Sequence, residues 1–377
     1  MSIGLPVRLL LTAAVITTTA TAAGTSSAAP RAAEPVRDLE FLGQQIIPTG
    51  TLFEGTQIGG LSGIAFDDEQ GVFYALSDDP SAINPARFYT LQLDVTDGTL
   101  DDGDVKFTDV TTLLDGSGQP FAPNSLDPEG IALTEDDELI ITSEGFANRL
   151  IDPFVRRFDL DGSQLGDLAV PTAFLPDSPQ TRGVRQNLGF ESAGVTPNGR
   201  YFFTGSEAAL VQDGPAATTE AGSPARLVRY NLRTGLADRQ YLYLTDPIAE
   251  PPVPAGSFAV NGLVELLPLD NRNLLSMERS FAVGAPGTGN TIKLYRVRLN
   301  NADNIRRFES IAGMVDDIRP ARKQLLLDLD ELGIPLDNVE AMAFGPRLPD
   351  GRRSLLLVSD NNFNPFGFTQ FLLFAVD

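Results

Sequence analysis

The stretch Asp127-Pro128-Glu129-Gly130-Ile131-Ala132-Leu133, followed across a Glu135-Asp136-Asp137 turn by Leu139-Ile140-Ile141-Thr142-Ser143-Glu144, decides the fold. It reads as two short apolar strands joined by a hairpin turn, with a carboxylate at each outer end. Both strands are nearly continuously apolar, so both faces are expected to be buried. The same layout returns in Gly60–Phe66 with Val72–Asp78, Gly189–Val195 with Tyr201–Glu207, Val260–Leu266 with Asn273–Glu278, and Asn338–Phe344 with Leu355–Asp360. The units recur about every sixty to eighty residues, the mark of a repeat architecture.

Between the units lie segments that alternate better: Arg87–Leu93, Val155–Leu160, Leu227–Leu232 and Lys293–Leu299. Alternation implies one solvated face, as for outer strands. Further strands follow at Val105–Thr108 and Gln240–Leu244. Two inner and two outer strands make a four-stranded blade, and blades repeated radially make an all-β propeller. The last unit runs out of chain after Phe371–Val376, one strand short, while Leu39–Ile47 is a spare strand at the other terminus. Pairing the two would close the ring and cover exposed edges. The expectation is five four-stranded blades; a sixth is allowed only if a poorly conforming blade hides in residues 286–336. A weak helix-like stretch runs from Ile311 to Leu332.

The chain has 377 residues, 42% of them hydrophobic, enough for a sizeable core. With 28 Lys and Arg against 50 Asp and Glu, the formal net charge is −22. Such a surface repels nucleic acid and anionic membranes and attracts cations. There is no Cys and no His. Disulfides, thiolate catalysis, zinc fingers and a Ser–His–Asp triad are therefore excluded. Ser62, Ser77, Ser143, Ser206 and Ser359 consequently have no ordinary base. At the start, Arg8 precedes an apolar run, Leu9–Ala23, and small residues end it at Ser27-Ala28-Ala29. This is the layout of a secretory leader. The expected organisation is a signal peptide over 1–29, a linker over 30–37 and a single propeller domain over 38–377, secreted or periplasmic, with no integral membrane span after leader removal.

Aligning the repeats puts acids in two columns. Ser62, Glu129, Glu191, Asn261 and Glu340 stand at the start of the first inner strand; Asp78, Glu144, Glu207, Glu278 and Asp360 stand at the end of the second. A hairpin brings these positions to the same end of the sheet. Both columns are expected to meet at one mouth of the central channel. Gathered like charges repel unless they are protonated, paired or metal-bound. With three lysines, Lys106, Lys293 and Lys323, pairing falls to arginine or a cation. Oxygen-only ligands favour Ca²⁺ or another hard divalent cation. Asp78, Glu144, Glu207, Glu278 and Asp360 are the candidate metal ligands. Glu129, Glu191 and Glu340 are candidate catalytic acids or bases. Arg149 and Arg279 are candidates for holding an anionic substrate, since guanidinium forks suit phosphate or carboxylate. The Gly284–Thr291 loop lacks the lysine of a phosphate loop.

Several of these segments resemble the phytase-like family known by the description "esterase-like activity of phytase". The resemblance rests on Asp127-Pro128-Glu129-Gly130-Ile131, Ser143-Glu144-Gly145, Pro153–Asp159, Gly189-Phe190-Glu191-Ser192, Glu278-Arg279-Ser280-Phe281, Asn338-Val339-Glu340-Ala341-Met342 and Ser359–Phe363. It implies an exported propeller-like domain acting on an ester, with a phosphoester first in line. The expected reaction is metal-assisted hydrolysis of a small anionic or ester substrate. The rival expectation is a propeller that binds a cation or small ligand and catalyses nothing, because a fold alone does not choose between them.

Overall fold

The computed structural model describes residues 1–4 and 36–377. Met1–Ala32 and Ala33–Asp377 form separate units. In the first, residues 1–4 have no regular structure, and the rest of the expected leader lies outside the described residues.

The second unit is built from strands. β1 (Leu39–Pro48) is followed by a short hairpin, β2 (Leu52–Phe53) and β3 (Thr56–Gln57). The first blade is β4 (Leu61–Asp67), β5 (Val72–Ser77), β6 (Arg87–Leu93) and β7 (Val105–Thr112). The second is β8 (Pro128–Leu133), β9 (Leu139–Ser143), β10 (Phe154–Phe158) and β11 (Gln164–Leu168). The third is β12 (Gly194–Val195), β13 (Tyr201–Gly205), β14 (Pro224–Asn231) and β15 (Leu236–Leu244). The fourth is β16 (Ala259–Pro268), β17 (Asn273–Ala282), β18 (Asn290–Arg298) and β19 (Arg322–Asp328). The fifth is β20 (Asn338–Arg347), β21 (Arg353–Asp360) and β22 (Phe368–Val376), completed by β1. The inner strands β4, β8, β12, β16 and β20 touch in that order, and β20 returns to β4. The fold is therefore a five-bladed β-propeller, as the repeats imply.

The closure is the one expected. β1 pairs antiparallel with β22, from Leu39 opposite Val376 to Pro48 opposite Phe368. This gives β22 a partner on its outer side and joins the two ends of the strand series in one blade.

The apolar runs are explained by the core, which lies between blades. One cluster joins Ile64, Phe73 and Leu91 of the first blade to Leu356, Val358 and Leu373 of the fifth. Another joins Leu275 and Leu294 of the fourth to Leu355, Leu357 and Leu372 of the fifth. Successive residues of β21 thus enter opposite cores, so its period-2 alternation is invisible in hydrophobicity. Similar clusters fill the remaining three blade interfaces.

Two expectations need correction. The third strands are less solvated than alternation suggests: β14 is buried on both faces up to Tyr230. Its arginines survive there because Arg226 is paired with Asp213 at 2.6 Å and Arg229 with Asp238 at 2.9 Å. The helix-like stretch Ile311–Leu332 holds no α-helix. It contains two short 3-10 turns, Val315–Asp317 and Leu329–Leu332, flanking strand β19, because it must supply the outer strand of the fourth blade.

Candidate metal and active site

Each blade carries the same irregularity in its first hairpin. The register between the two inner strands shifts by one residue after Leu61↔Ser77, Pro128↔Ser143, Phe190↔Ser206, Leu263↔Glu278 and Val339↔Ser359. One extra residue in the inner strand is a β-bulge, a device that re-aims side chains. The residues just past the shift on the inner strand are Ser62, Glu129, Glu191, Val264 and Glu340. Those just past it on the second strand are Asp78, Glu144, Glu207, Arg279 and Asp360. Asp78, Glu129, Glu144, Glu191, Glu207, Glu340 and Asp360 are brought together there, and their charges act on one another.

The fourth blade differs from the sequence alignment. Its bulge comes at Val264, not at Asn261, so Arg279 takes the acid's place and Glu278 takes the serine's. A slip of one residue turns a strand side chain to the opposite face. Glu278 accordingly faces the third blade, where it accepts from Tyr243 Oη at 2.7 Å and Asp246 N at 2.7 Å and pairs with Lys323. It stands apart from the other acids. The serines that occupy this position elsewhere have structural bonds: Ser77 Oγ donates to Gly59 O, and Ser359 Oγ donates to Phe368 O.

Second-strand residues reach across to the next blade. Gly189 N donates to Glu144 Oε1. A side chain at Gly262 would stand 2.3 Å from Glu207 Oε1, so only glycine leaves room for that carboxylate. Arg279 bridges the fourth and fifth blades, with Nη2 at 2.7 Å from Glu340 Oε1 and 3.6 Å from Glu207 Oε1. Arg149 is exposed, donates from Nη1 to Asn124 O at 3.0 Å and lies over the Phe146 ring.

Two groups of three carboxylates are close enough to share a cation: Asp127, Glu129 and Glu144, and Glu144, Glu191 and Glu207, with ligand atoms within 4.8 Å of one another. Glu144 belongs to both. Asp127 was missed in the two-column alignment because it precedes the strand; its spacing two residues before Glu129 is the signal that finds it. The fit to a cation rests on orphaned oxygens. Glu144 Oε2 and Asp78 Oδ1 are buried without a hydrogen-bond partner, and Glu207 Oε1 has only the Arg279 charge at 3.6 Å. An unpaired buried carboxylate oxygen costs several kcal/mol unless a proton or cation meets it.

Burial dominates the electrostatics. It lifts Asp127 to about 7. With Asp127 beside it, Glu144 rises to about 8. Glu207 rises to about 7, with Arg279 opposing the lift. Asp360 rises to about 8 through burial and Glu340. Glu129, Glu191 and Asp78 are pushed well above the carboxylate range, again by burial first and neighbouring carboxylates second. These groups hold more protons folded than unfolded. Their contribution to stability is full below the unfolded carboxylate range near pH ~4 and is lost as pH rises through 7 to 8. Chelator-treated protein is therefore expected to lose melting temperature between pH 5 and 9, by calorimetry, by several degrees. A flat profile would contradict the charge cluster.

One more carboxylate sits on the inner strands. Glu265 directly follows the bulge in β16, where other blades have Gly63, Gly130, Ser192 and Ala341. It accepts from Ala193 N at 3.1 Å and Leu266 N at 2.8 Å, and also from Met342 N. It thereby satisfies edge N–H groups of three neighbouring blades.

A closed five-bladed ring with an oxygen-only carboxylate cluster at one end of its inner hairpins defines the class: a propeller with a candidate hard-cation site. The chain belongs to the phytase-like family; the family model described as "Esterase-like activity of phytase" matches residues 56–363. Among curated proteins none matches. Among solved structures, an endo-arabinase from Bacteroides thetaiotaomicron is similar at 12% identity and TM-score 0.45, covering 88% of this chain and 96% of its own. The Dos1 propeller is similar at 10% identity and TM-score 0.34, covering 85% and 70%.

Proposed function

We propose that the chain is an exported, divalent-cation-dependent ester hydrolase, with residues 1–29 removed as a secretory leader and the protein secreted or periplasmic. The observation that carries the reading is the buried Glu144 Oε2, which has no hydrogen-bond partner and belongs to both three-carboxylate groups. Glu144, Glu191 and Glu207 would hold the cation, and their hard oxygen donors suit Ca²⁺. A cation there supplies Lewis acidity toward the ester oxygen and acidifies a water.

The chain's own groups supply the rest. Asp127, half-buried and lifted to about 7, suits a general base that takes the proton of the attacking water. Glu129, held well above the carboxylate range, is a proton donor for the leaving alkoxide. Water adds to the acyl or phosphoryl centre, the bond to the alkoxide breaks, and the proton from Glu129 completes the alcohol. Arg279 is engaged by Glu340 and Glu207 and acts as a positioning residue for both. Exposed Arg149 is free to meet an anionic part of the substrate beside its one bond to Asn124.

The test is turnover of p-nitrophenyl acetate and p-nitrophenyl phosphate after chelation and after re-addition of Ca²⁺, Mg²⁺ or Mn²⁺. The expected result is activity lost with chelator, restored by a divalent ion and reduced at least about 100-fold in Glu144→Gln. Ca²⁺-raised melting with no turnover would favour the binding-module reading instead.

A further inference from the structure

The loops at the cation-site end of the ring carry an unusual amount of exposed apolar surface. In the fourth blade, Arg279 and Phe281 lie two residues apart on β17, hence on the same face, and both are half-buried. The Phe258 ring, from the loop entering β16, lies 6.1 Å from that of Phe281. Phe258 is 65% exposed and Val253 62% exposed, and Val283 is exposed beside them. The backbone fixes this patch: Val253 N donates to Val283 O at 2.7 Å, and Val283 N donates to Phe258 O at 3.0 Å.

A second apolar element faces the site from the fifth blade. Asn362 and Phe363 both hold φ of +50°, a conformation that bulky L-residues avoid. The turn is held by Asp360 Oδ1, which accepts from Asn362 N at 2.6 Å, and by Asn361 Oδ1, which accepts from Phe363 N at 2.9 Å. A carboxylate of the cluster thus aims the Phe363 turn directly. The ring lies beside Asp78: a side chain at Gly60 would collide with both Asp78 Oδ1 and Phe363 Cε2. Phe366, on the same turn, is 92% exposed. Strain kept at a site residue points to use.

The charges at this end argue in the same direction. Arg279 is engaged by Glu340 and Glu207, Arg87 is buried against Asp79, and Arg185 donates to Ala209 O and Gly214 O. A polyanionic substrate would meet an acidic mouth in which these three guanidinium groups are already engaged.

Resting on the hydrolase reading above, we infer that the substrate is an ester with an apolar acyl or aromatic group and at most one negative charge, seated between the Phe258–Phe281 patch and the Phe363 turn. A polyphosphorylated polyol is the class it excludes.

The test compares p-nitrophenyl acetate, butyrate and octanoate with Ca²⁺ present, and inositol hexakisphosphate as competitor. kcat/KM is expected to rise about tenfold or more from acetate to octanoate, since each buried methylene favours binding about fourfold. The doubly substituted Phe258→Ser, Phe281→Ser protein should lose that gain. Inositol hexakisphosphate should not compete beyond its withdrawal of Ca²⁺, controlled by holding free Ca²⁺ fixed. Equal kcat/KM across chain lengths, or release of phosphate from inositol hexakisphosphate, would overturn the inference while leaving the hydrolase reading standing. If no ester is turned over, the hydrolase reading fails, and calorimetry with Ca²⁺ decides the apolar seat separately. Octylphosphonic acid binding at least about tenfold tighter than methylphosphonic acid sustains it; equal or absent binding sinks it.

Discussion

Replacing Glu144 and Glu207 together by glutamine is expected to abolish the Ca²⁺-induced rise in melting temperature and to stabilise the cation-free protein at pH 8. Glu144 belongs to both groups of three carboxylates, and Glu207 completes the second. Each contributes a buried oxygen with no hydrogen-bond partner. A ligand present at a hundred times its Kd stabilises a protein by about 2.7 kcal/mol, which for a chain of this size is on the order of 4 °C. That increment should vanish in the double variant. Without cation the sign reverses. Burial holds both carboxyls near 7 to 8, so at pH 8 the parent carries charge where water screens it poorly. Glutamine keeps the shape and the acceptor for Gly189 N while removing that charge. The variant should therefore melt above the parent in chelator at pH 8 and near it at pH 5. Differential scanning calorimetry with and without Ca²⁺ reads all four conditions. A Ca²⁺ increment that persists would put the cation elsewhere, whatever the stability of the fold.

The blade count and the ring closure were legible in the sequence because strands, turns and unit length all repeat. The site was legible only in outline. The position of the bulge in each hairpin is set by packing between inner strands, and four blades advertise it by a serine before the acid: Ser77-Asp78, Ser143-Glu144, Ser206-Glu207 and Ser359-Asp360. The fourth reads Met277-Glu278-Arg279, and matching acid to acid there is one residue out. The register pairs Glu278 with Leu263 and so sends its carboxylate to Tyr243 and Lys323. Asp127 escaped the columns for another reason. It lies before the strand, where period-2 reasoning has no purchase, and it joins the cluster beside Glu129 and Glu144. Glu265 gave no signal at all. A buried acid whose role is to accept backbone N–H groups from neighbouring blades is defined by tertiary contacts alone.

The exchange of an acid for Arg279 in the fourth blade leads to the other large expected effect. Arg279 is the cation set against Glu340 and Glu207, and both neighbours hold its guanidinium firmly protonated against the opposing effect of burial. Removing one partner of a buried pair leaves the other charge uncompensated, at about 3–5 kcal/mol. Arg279→Gln should lose about that much at pH 8 in chelator, measured by denaturant unfolding. At pH 5 the loss should shrink, because the abandoned Glu207 carboxyl, lifted to about 7 by burial, takes up a proton there. Adding Glu340→Gln to Arg279→Gln should recover part of the loss, since the second change removes the stranded charge, and the coupling energy should exceed about 1 kcal/mol. Arg279→Lys should fall between, keeping the charge but losing the planar fork. Strictly additive losses, or a loss independent of pH, would mean that Arg279 acts through packing alone. The fourth blade would then be a filler in the ring and not the counterion that lets seven other blade-borne carboxylates stand together.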